Sequence, residues 1–159
     1  TAMSLRMIER MTRRRRSGWR MFDAGTGSGI LALAGRRFGA GEIVAMENDP
    51  LALATAKANA RRNAVRGVKF FLGDATTEQR GTFDLITANL YSELLATALP
   101  RWRMNLERDA RIIVSGIMRT QERDIVRVLR SNGYTVDETR RRGKWIALCC
   151  RLAHGAKTS

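Results

Sequence analysis

Cysteine, histidine and proline are all scarce in this chain of 159 residues: two, one and two respectively. The cysteines are the neighbours Cys149 and Cys150. Adjacent residues on a strand point to opposite faces, so they make a poor disulfide pair. A reducing cytoplasm is the simplest reading of that usage. With His154 as the lone imidazole, a zinc site or a Cys/His or Ser/His nucleophile system is disfavoured, and no metal is expected. There is no uninterrupted apolar run of about 18 residues, so no membrane span is expected. The opening residues do not read as a signal peptide. Repeats and low-complexity linkers are missing too. That leaves a single domain over 1–159, with an N-terminal helix and basic turn (1–18), a sheet core (19–152) and a tail (153–159). The chain opens at Thr1 rather than at methionine, which fits a piece of a longer protein.

Lysine is sparse as well. Of 29 basic residues only Lys57, Lys69, Lys144 and Lys157 are lysine, against 15 acids, for a net charge of +14. Such a balance favours anionic surroundings such as a ribosome or RNA. A genome preferring arginine codons is the bland alternative. Position decides between them. Arg13 to Arg16 precede the first strand, while Arg36, Arg37, Arg61, Arg62, Arg101 and Arg103 fall at helix ends, where they complement helix dipoles. All these places should lie at the amino ends of the strands. Only Arg140 to Arg142 belong to a final hairpin that reaches the other side. Most of the charge therefore reads as solvated surface, able to dock RNA without marking a nucleic-acid substrate. Aromatic residues interleaved as they are for base stacking are not evident.

What is present is a regular alternation. Hydrophobic residues make up 44% of the chain, enough for a globular core. Leu5, Ile8 and Met11 sit at helical spacing in residues 1–11. Strands are expected at 19–24, 42–46, 68–72, 83–88, 111–115, 134–139 and 145–152. Helices are expected at 30–38, 50–63, 91–102 and 119–131, with Asp49 as N-cap, Pro50 at the first turn and Pro100 disturbing the end of the third of these four. This order predicts an α/β fold: a doubly wound, mostly parallel seven-stranded sheet with an antiparallel last strand, because the last connection is short.

Residues 21–31 read MFDAGTGSGIL, and the loop Gly25-Thr26-Gly27-Ser28-Gly29 falls at a strand's carboxyl end, where open α/β sheets bind ligands. Gly25, Gly27 and Gly29 let a ligand approach the backbone, Thr26 and Ser28 keep the way open, and the helix from Ile30 offers free N–H groups. The rival is the dinucleotide fingerprint G-x-G-x-x-G, but here the last glycine comes one place early. Asp23 precedes the loop, where it would repel a pyrophosphate and suit an ammonium group. Glu47 is placed to accept from ribose hydroxyls, and Asp74 from an adenine amino group. The ligand that fits is S-adenosyl-L-methionine.

FDAGTGSGILALA, ENDPLALATAKANARRN, FDLITANL, IIVSGIMRTQ and KWIAL together resemble the class I S-adenosylmethionine-dependent methyltransferases of Rossmann-like fold. Among them the chain is most similar to the bacterial ribosomal protein L11 methyltransferase family. The resemblance covers nearly the whole chain; the pairing of ANL with SGIM and a following Gln121 is its more specific part. It implies that Thr1, Gly25, Glu47 and Asn89 contact the cofactor, and that the methyl acceptor is an amino group of a ribosomal protein. Two departures stand out. Glu47 occupies a position that is usually aspartate. The family also has an N-terminal recognition domain, which these residues do not supply.

Methyl transfer from a sulfonium is an in-line displacement governed by alignment, so the lack of a catalytic histidine is no obstacle. Asn89 is the candidate catalytic residue, orienting a substrate nitrogen or the cofactor; alternatively it caps the helix that follows. Tyr91 either walls the pocket or packs on the sheet, and packing is the expected role. Asn89-Leu90-Tyr91-Ser92 lacks the prolines of the Asn-Pro-Pro-Tyr motif used on glutamine and nucleic-acid bases, which points to a lysine or terminal amine. RNA methylation and a catalytically silent binding module are the alternatives. Oligomeric state is not readable.

Overall fold

Strand–helix alternation builds a seven-stranded sheet covered on both faces. The computed structural model describes residues 1–13, 15–77 and 79–153. Arg14 of the basic turn, His154 and the rest of the expected tail lie outside the described residues. In chain order the elements are α1 (Ala2–Thr12), β1 (Arg20–Ala24), α2 (Ile30–Arg37), β2 (Glu42–Glu47), α3 (Pro50–Arg62), β3 (Val68–Leu72), β4 (Phe83–Asn89), α4 (Ser92–Trp102), β5 (Leu106–Met118), α5 (Glu122–Ser131), β6 (Tyr134–Arg142) and β7 (Trp145–Leu152).

The strand order is β3-β2-β1-β4-β5-β7-β6. The first five strands pair in parallel. β7 is antiparallel to both β5 and β6, so the expected antiparallel last strand is found. Order reverses between β1 and β4, which opens a crevice at their carboxyl ends. Register levels those ends: Ala24 stands beside Met46 and Ala88, Glu47 beside Leu72, and Asn89 beside Ser115. Because β7 starts opposite the end of β5, the β6–β7 turn lies on that same side. Among the described residues no helix is long and apolar enough to cross a membrane.

Two buried clusters flank the sheet. One gathers Phe22, Phe83, Ile86 and Val114 under Leu95, Leu99 and Trp102 of α4 and Ile125 and Leu129 of α5. The other gathers Met21, Ile43, Leu85 and Ile113 under Met7 and Ile8 of α1 and Leu31 and Ala32 of α2. Cys150 belongs to the first and Cys149 to the second, on opposite faces and unbonded.

Several boundaries differ from expectation for physical reasons. β5 runs back to Leu106 through the charged stretch Leu106–Ala110, where Leu106 pairs with Phe83 before the register shifts. β6 continues through Arg140, Arg141 and Arg142 because each pairs with β7. Pro100 sits inside α4 rather than disturbing its end; the helix carries on to Trp102, whose buried indole donates to Ala75 O at 3.0 Å. The buried stripe of α1 is Ser4, Met7, Ile8 and Thr12, with Leu5 and Met11 only half-buried. Its two hydroxyls are satisfied, Ser4 donating to Ser115 Oγ and Thr12 to Ile8 O. Arg36, in the last turn of α2, donates to the Ala40 and Gly41 carbonyls of the following loop and to Arg66 O, tying the two connections together.

Candidate active site

The glycine loop turns sharply between β1 and α2. Gly25 and Gly29 have φ of 67° and 82°, a region that costs a residue with a Cβ roughly 1–2 kcal/mol. A Cβ on Gly25 would lie 2.6 Å from Leu90 Cδ2, and one on Gly29 would lie 3.2 Å from Ala56 Cβ of α3. Thr26 N donates to Met46 O at 2.9 Å, which ties the loop to the end of β2.

Asp23 lies beneath this loop, 1% exposed, and not on the cavity surface. Its Oδ2 accepts from the Thr26 hydroxyl at 2.7 Å and from Ala32 N at 3.1 Å, and its Oδ1 accepts from the Thr87 hydroxyl at 2.6 Å. Burial pushes its carboxyl pKa up; the three donors oppose that, and the Glu47 charge adds to it. The expected direct contact with an ammonium group is thus replaced by a scaffold role: Asp23 fixes the loop and the first turn of α2 from below. Gly29 is likewise a packing position between α2 and α3 rather than a lining one.

The remaining predicted residues meet. Thr1, Gly25, Gly27, Glu47, Asp74 and Asn89 line one cavity of about 310 Å³ at the carboxyl ends of the strands. Glu47 Oε1 accepts from Asn48 N at 2.9 Å and Asp49 N at 3.1 Å, while Oε2 accepts from Gly27 N at 2.9 Å. Asp74 Oδ1 accepts from the Thr76 hydroxyl at 2.7 Å and from Thr76 N at 2.8 Å. Those hydrogen bonds hold the Asp74 carboxyl below its ordinary pKa. Among the described residues no donor meets Asp74 Oδ2, and no lysine or arginine lines this cavity.

A second, larger cavity of about 720 Å³ adjoins the first. The two share Thr1, Asn48, Asn89, Leu90 and Leu94 as a common wall. Tyr91, Ser115, Gly116, Trp145 and Ile146 also line the second, together with Ala2, Met3 and Arg142. Tyr91 is 73% exposed, so it walls this cavity and does not pack on the sheet as expected. Nor does Asn89 cap α4: the N-cap is Tyr91, with no side-chain cap bond, and Leu95 N donates to Tyr91 O. The Asn89 side chain is instead held from β5. Ser4 Oγ donates to Ser115 Oγ at 3.0 Å, and Ser115 Oγ donates to Asn89 Oδ1 at 3.4 Å. A Cβ at Gly116, where φ is 84°, would lie 2.6 Å from that same Oδ1. Gln121 braces the rim, accepting from Met118 N and donating to Ser92 Oγ.

Sequence reasoning missed Trp145 and Ser115. A tryptophan following Arg140–Lys144 was a visible anomaly, and strand alternation places Ser115 on the same face as Ile113, towards α1. Among the described residues no three His, Cys, Asp or Glu groups gather as a metal site.

A family model described as ribosomal protein L11 methyltransferase (PrmA) matches residues 1–153. The ribosomal protein L11 methyltransferase of Pelotomaculum thermopropionicum is 37% identical over 153 residues, covering 96% of this chain and 49% of that protein. That of Thermus thermophilus is 35% identical over 142 residues, covering 89% and 55%. A crystal structure of the ribosomal protein L11 methylase of Lactobacillus delbrueckii subsp. bulgaricus matches with a TM-score of 0.89 at 30% identity, over 97% of this chain and 79% of that one. The chain spans about half the length of the curated relatives it matches. The family match runs from α1 through β7 and takes in both cavities and the wall between them, so the chain belongs to the ribosomal protein L11 methyltransferase family.

Proposed function

We propose that this chain is the catalytic part of an S-adenosyl-L-methionine-dependent methyltransferase, acting in the cytoplasm on an amino group of a ribosomal protein of the L11 type. The observation that carries this reading is the common wall: Asn89 borders a polar, acid-lined cavity on one side and a more apolar one on the other. The first cavity suits this cofactor. A dinucleotide pyrophosphate would meet Glu47 and Asp74 with no lysine or arginine among the described lining residues. A ligand with a cationic sulfonium, a ribose diol and an exocyclic amine matches the same groups.

Glu47 would hold the ribose hydroxyls, since its backbone donors orient the carboxylate and leave acceptor capacity on Oε2. Asp74 Oδ2 would take the adenine amine. Gly25, Gly27 and the first turn of α2 would receive the amino-acid end, with Thr1 and Asn89 flanking it. Asp23 and Gly29 support this cradle from behind.

When bound, the sulfonium supplies an electrophilic methyl carbon. Asn89 Oδ1, already turned towards Ser115, keeps a lone pair that accepts an N–H of the incoming amine and aims the nitrogen across the wall. Tyr91, Leu94 and Trp145 flank the route with apolar surface suited to the methylene stem of a lysine. The amine proton leaves to water through the second cavity.

Two measurements test the reading. Calorimetry with S-adenosyl-L-methionine and with a nicotinamide dinucleotide decides the cofactor; preference for the dinucleotide defeats the proposal. Tritiated methyl transfer offered ribosomal protein L11 or ribosomal RNA decides the acceptor, and label entering only RNA overturns the protein reading.

A further inference from the structure

Most arginines around the β6–β7 hairpin are matched by acids. Glu138 accepts from Arg140 at 2.6 Å and lies 3.8 Å from Arg10. Arg141 donates from Nε and Nη2, one edge of its guanidinium, to the two carboxylate oxygens of Glu122. Asp137 pairs with Arg111 at 3.1 Å and with Arg151 at 3.0 Å. Arg6 of α1 and Arg142 at the end of β6 are different. Both are exposed, and among the described residues neither side chain has an ion pair or a hydrogen-bond partner. They converge nonetheless on one concavity of about 550 Å³, formed with Ala2, Met3, Arg140 and Arg141. That concavity is contiguous with the second cavity beside Asn89: Ala2, Met3 and Arg142 belong to both.

We propose that Arg6 and Arg142 form a subsite for a carboxylate side chain of the protein acceptor, close in its sequence to the amine that enters beside Asn89. This rests on the protein-amine reading above. Charge complementarity selects the occupant. Two guanidinium groups with unspent donors across a small hollow suit a single planar anion, which arginine binds through paired N–H bonds. A nucleic-acid backbone needs a continuous basic track. Here Arg140 and Arg141 are already engaged by Glu138 and Glu122, so the hollow leaves two uncommitted guanidinium groups rather than a track for successive phosphates. An acceptor bearing Asp or Glu near its target amine is therefore held at two points, the amine by Asn89 and the acid by the arginine pair, and this selects which lysine or terminus is presented.

The test uses a fluorescent glutamate-rich peptide carrying one lysine, the same peptide with glutamine throughout, and single-stranded RNA, each titrated by anisotropy against the whole chain. The glutamate peptide should bind in preference to the glutamine peptide. The double variant Arg6→Gln/Arg142→Gln should weaken it about tenfold, with RNA binding little changed. Arg61→Gln/Arg62→Gln, on α3, removes equal charge and should leave peptide binding within about twofold of wild type. Equal losses in both double variants, or a loss confined to RNA, overturn the subsite. Tritiated transfer into the same lysine separates the two claims. Arginine-dependent binding without any transfer counts against the methyltransferase reading and leaves the subsite standing. Transfer indifferent to glutamate or glutamine removes the subsite alone.

Discussion

Replacing Gly116 by alanine should separate stability from catalysis at this site. Gly116 has φ of 84°, and a Cβ built there lies 2.6 Å from Asn89 Oδ1, closer than a carbon and an oxygen tolerate. The backbone part of the cost is roughly 1–2 kcal/mol, the usual penalty for a side chain in the left-handed region. The contact part is small in stability terms, because Asn89 is exposed and its amide can swing away. The fold should survive, with a Tm lowered by roughly 2–8 °C for a domain of this size. Activity should respond very differently. Moving the Asn89 amide by about an ångström misaligns the nucleophile, which can reduce kcat by roughly 10²-fold. Cofactor affinity, assigned mainly to Glu47, Asp74 and the glycine loop, should change far less. The assay is tritiated methyl transfer with calorimetry of cofactor binding alongside. Placing Gly116→Ala in an Asn89→Ala background supplies the control: the Tm loss persists, but no further kcat is lost. A folded Gly116→Ala with wild-type kcat, or losses that multiply independently in the two backgrounds, would refute the reasoning.

Other expectations follow from the same geometry. Gly29→Ala adds a Cβ 3.2 Å from Ala56 Cβ at φ of 82°, so it should cost about 2 kcal/mol in denaturant unfolding and weaken cofactor binding as α2 and α3 separate. Asp74 is held below its ordinary value of 3.8 by Thr76, so its stabilisation is present above that pH and lost as pH falls through the lowered value. Thr76→Val should therefore flatten the acid limb of a pH–stability curve; an unchanged limb counts against the assignment. Burial pushes the Cys149 thiol up to about 12 and Cys150 well above its usual value, so both stay protonated and enclosed at neutral pH. Thiol reagents should label neither until denaturant is added, and rapid labelling of the native chain would contradict the burial.

The strand–helix order was legible because hydrophobic periodicity and the glycine punctuation agreed along most of the chain. The two places where they disagreed are instructive. Leu106–Ala110 and Arg140–Arg142 carry charged side chains yet lie in strands: Leu106 pairs with Phe83, and Arg140–Arg142 pair with β7 while Glu138 and Glu122 hold Arg140 and Arg141. At the site, loop and strand-end positions located Gly25, Glu47, Asp74 and Asn89 correctly as neighbours. The direction of Asp23 was the harder matter. Met21 belongs to the α1–α2 side and Phe22 and Ala24 to the other; period-two alternation then turns Asp23 under α2, away from the cavity. The second cavity was largely invisible because Thr1, Leu90, Trp145 and Gly116 are far apart in sequence and converge only through the antiparallel insertion of β7.

Because β4 sits between β1 and β5, it is the seam of two differently sourced halves. Glycine loop, Glu47 and Asp74 come from segments on one flank; Ser115, Gly116, Arg142 and Trp145 come from the other. On the proposed function, changes in the hairpin would retune which amine is admitted while leaving the first cavity intact. Asn89, at the tip of β4, is the position that any such change must leave aligned.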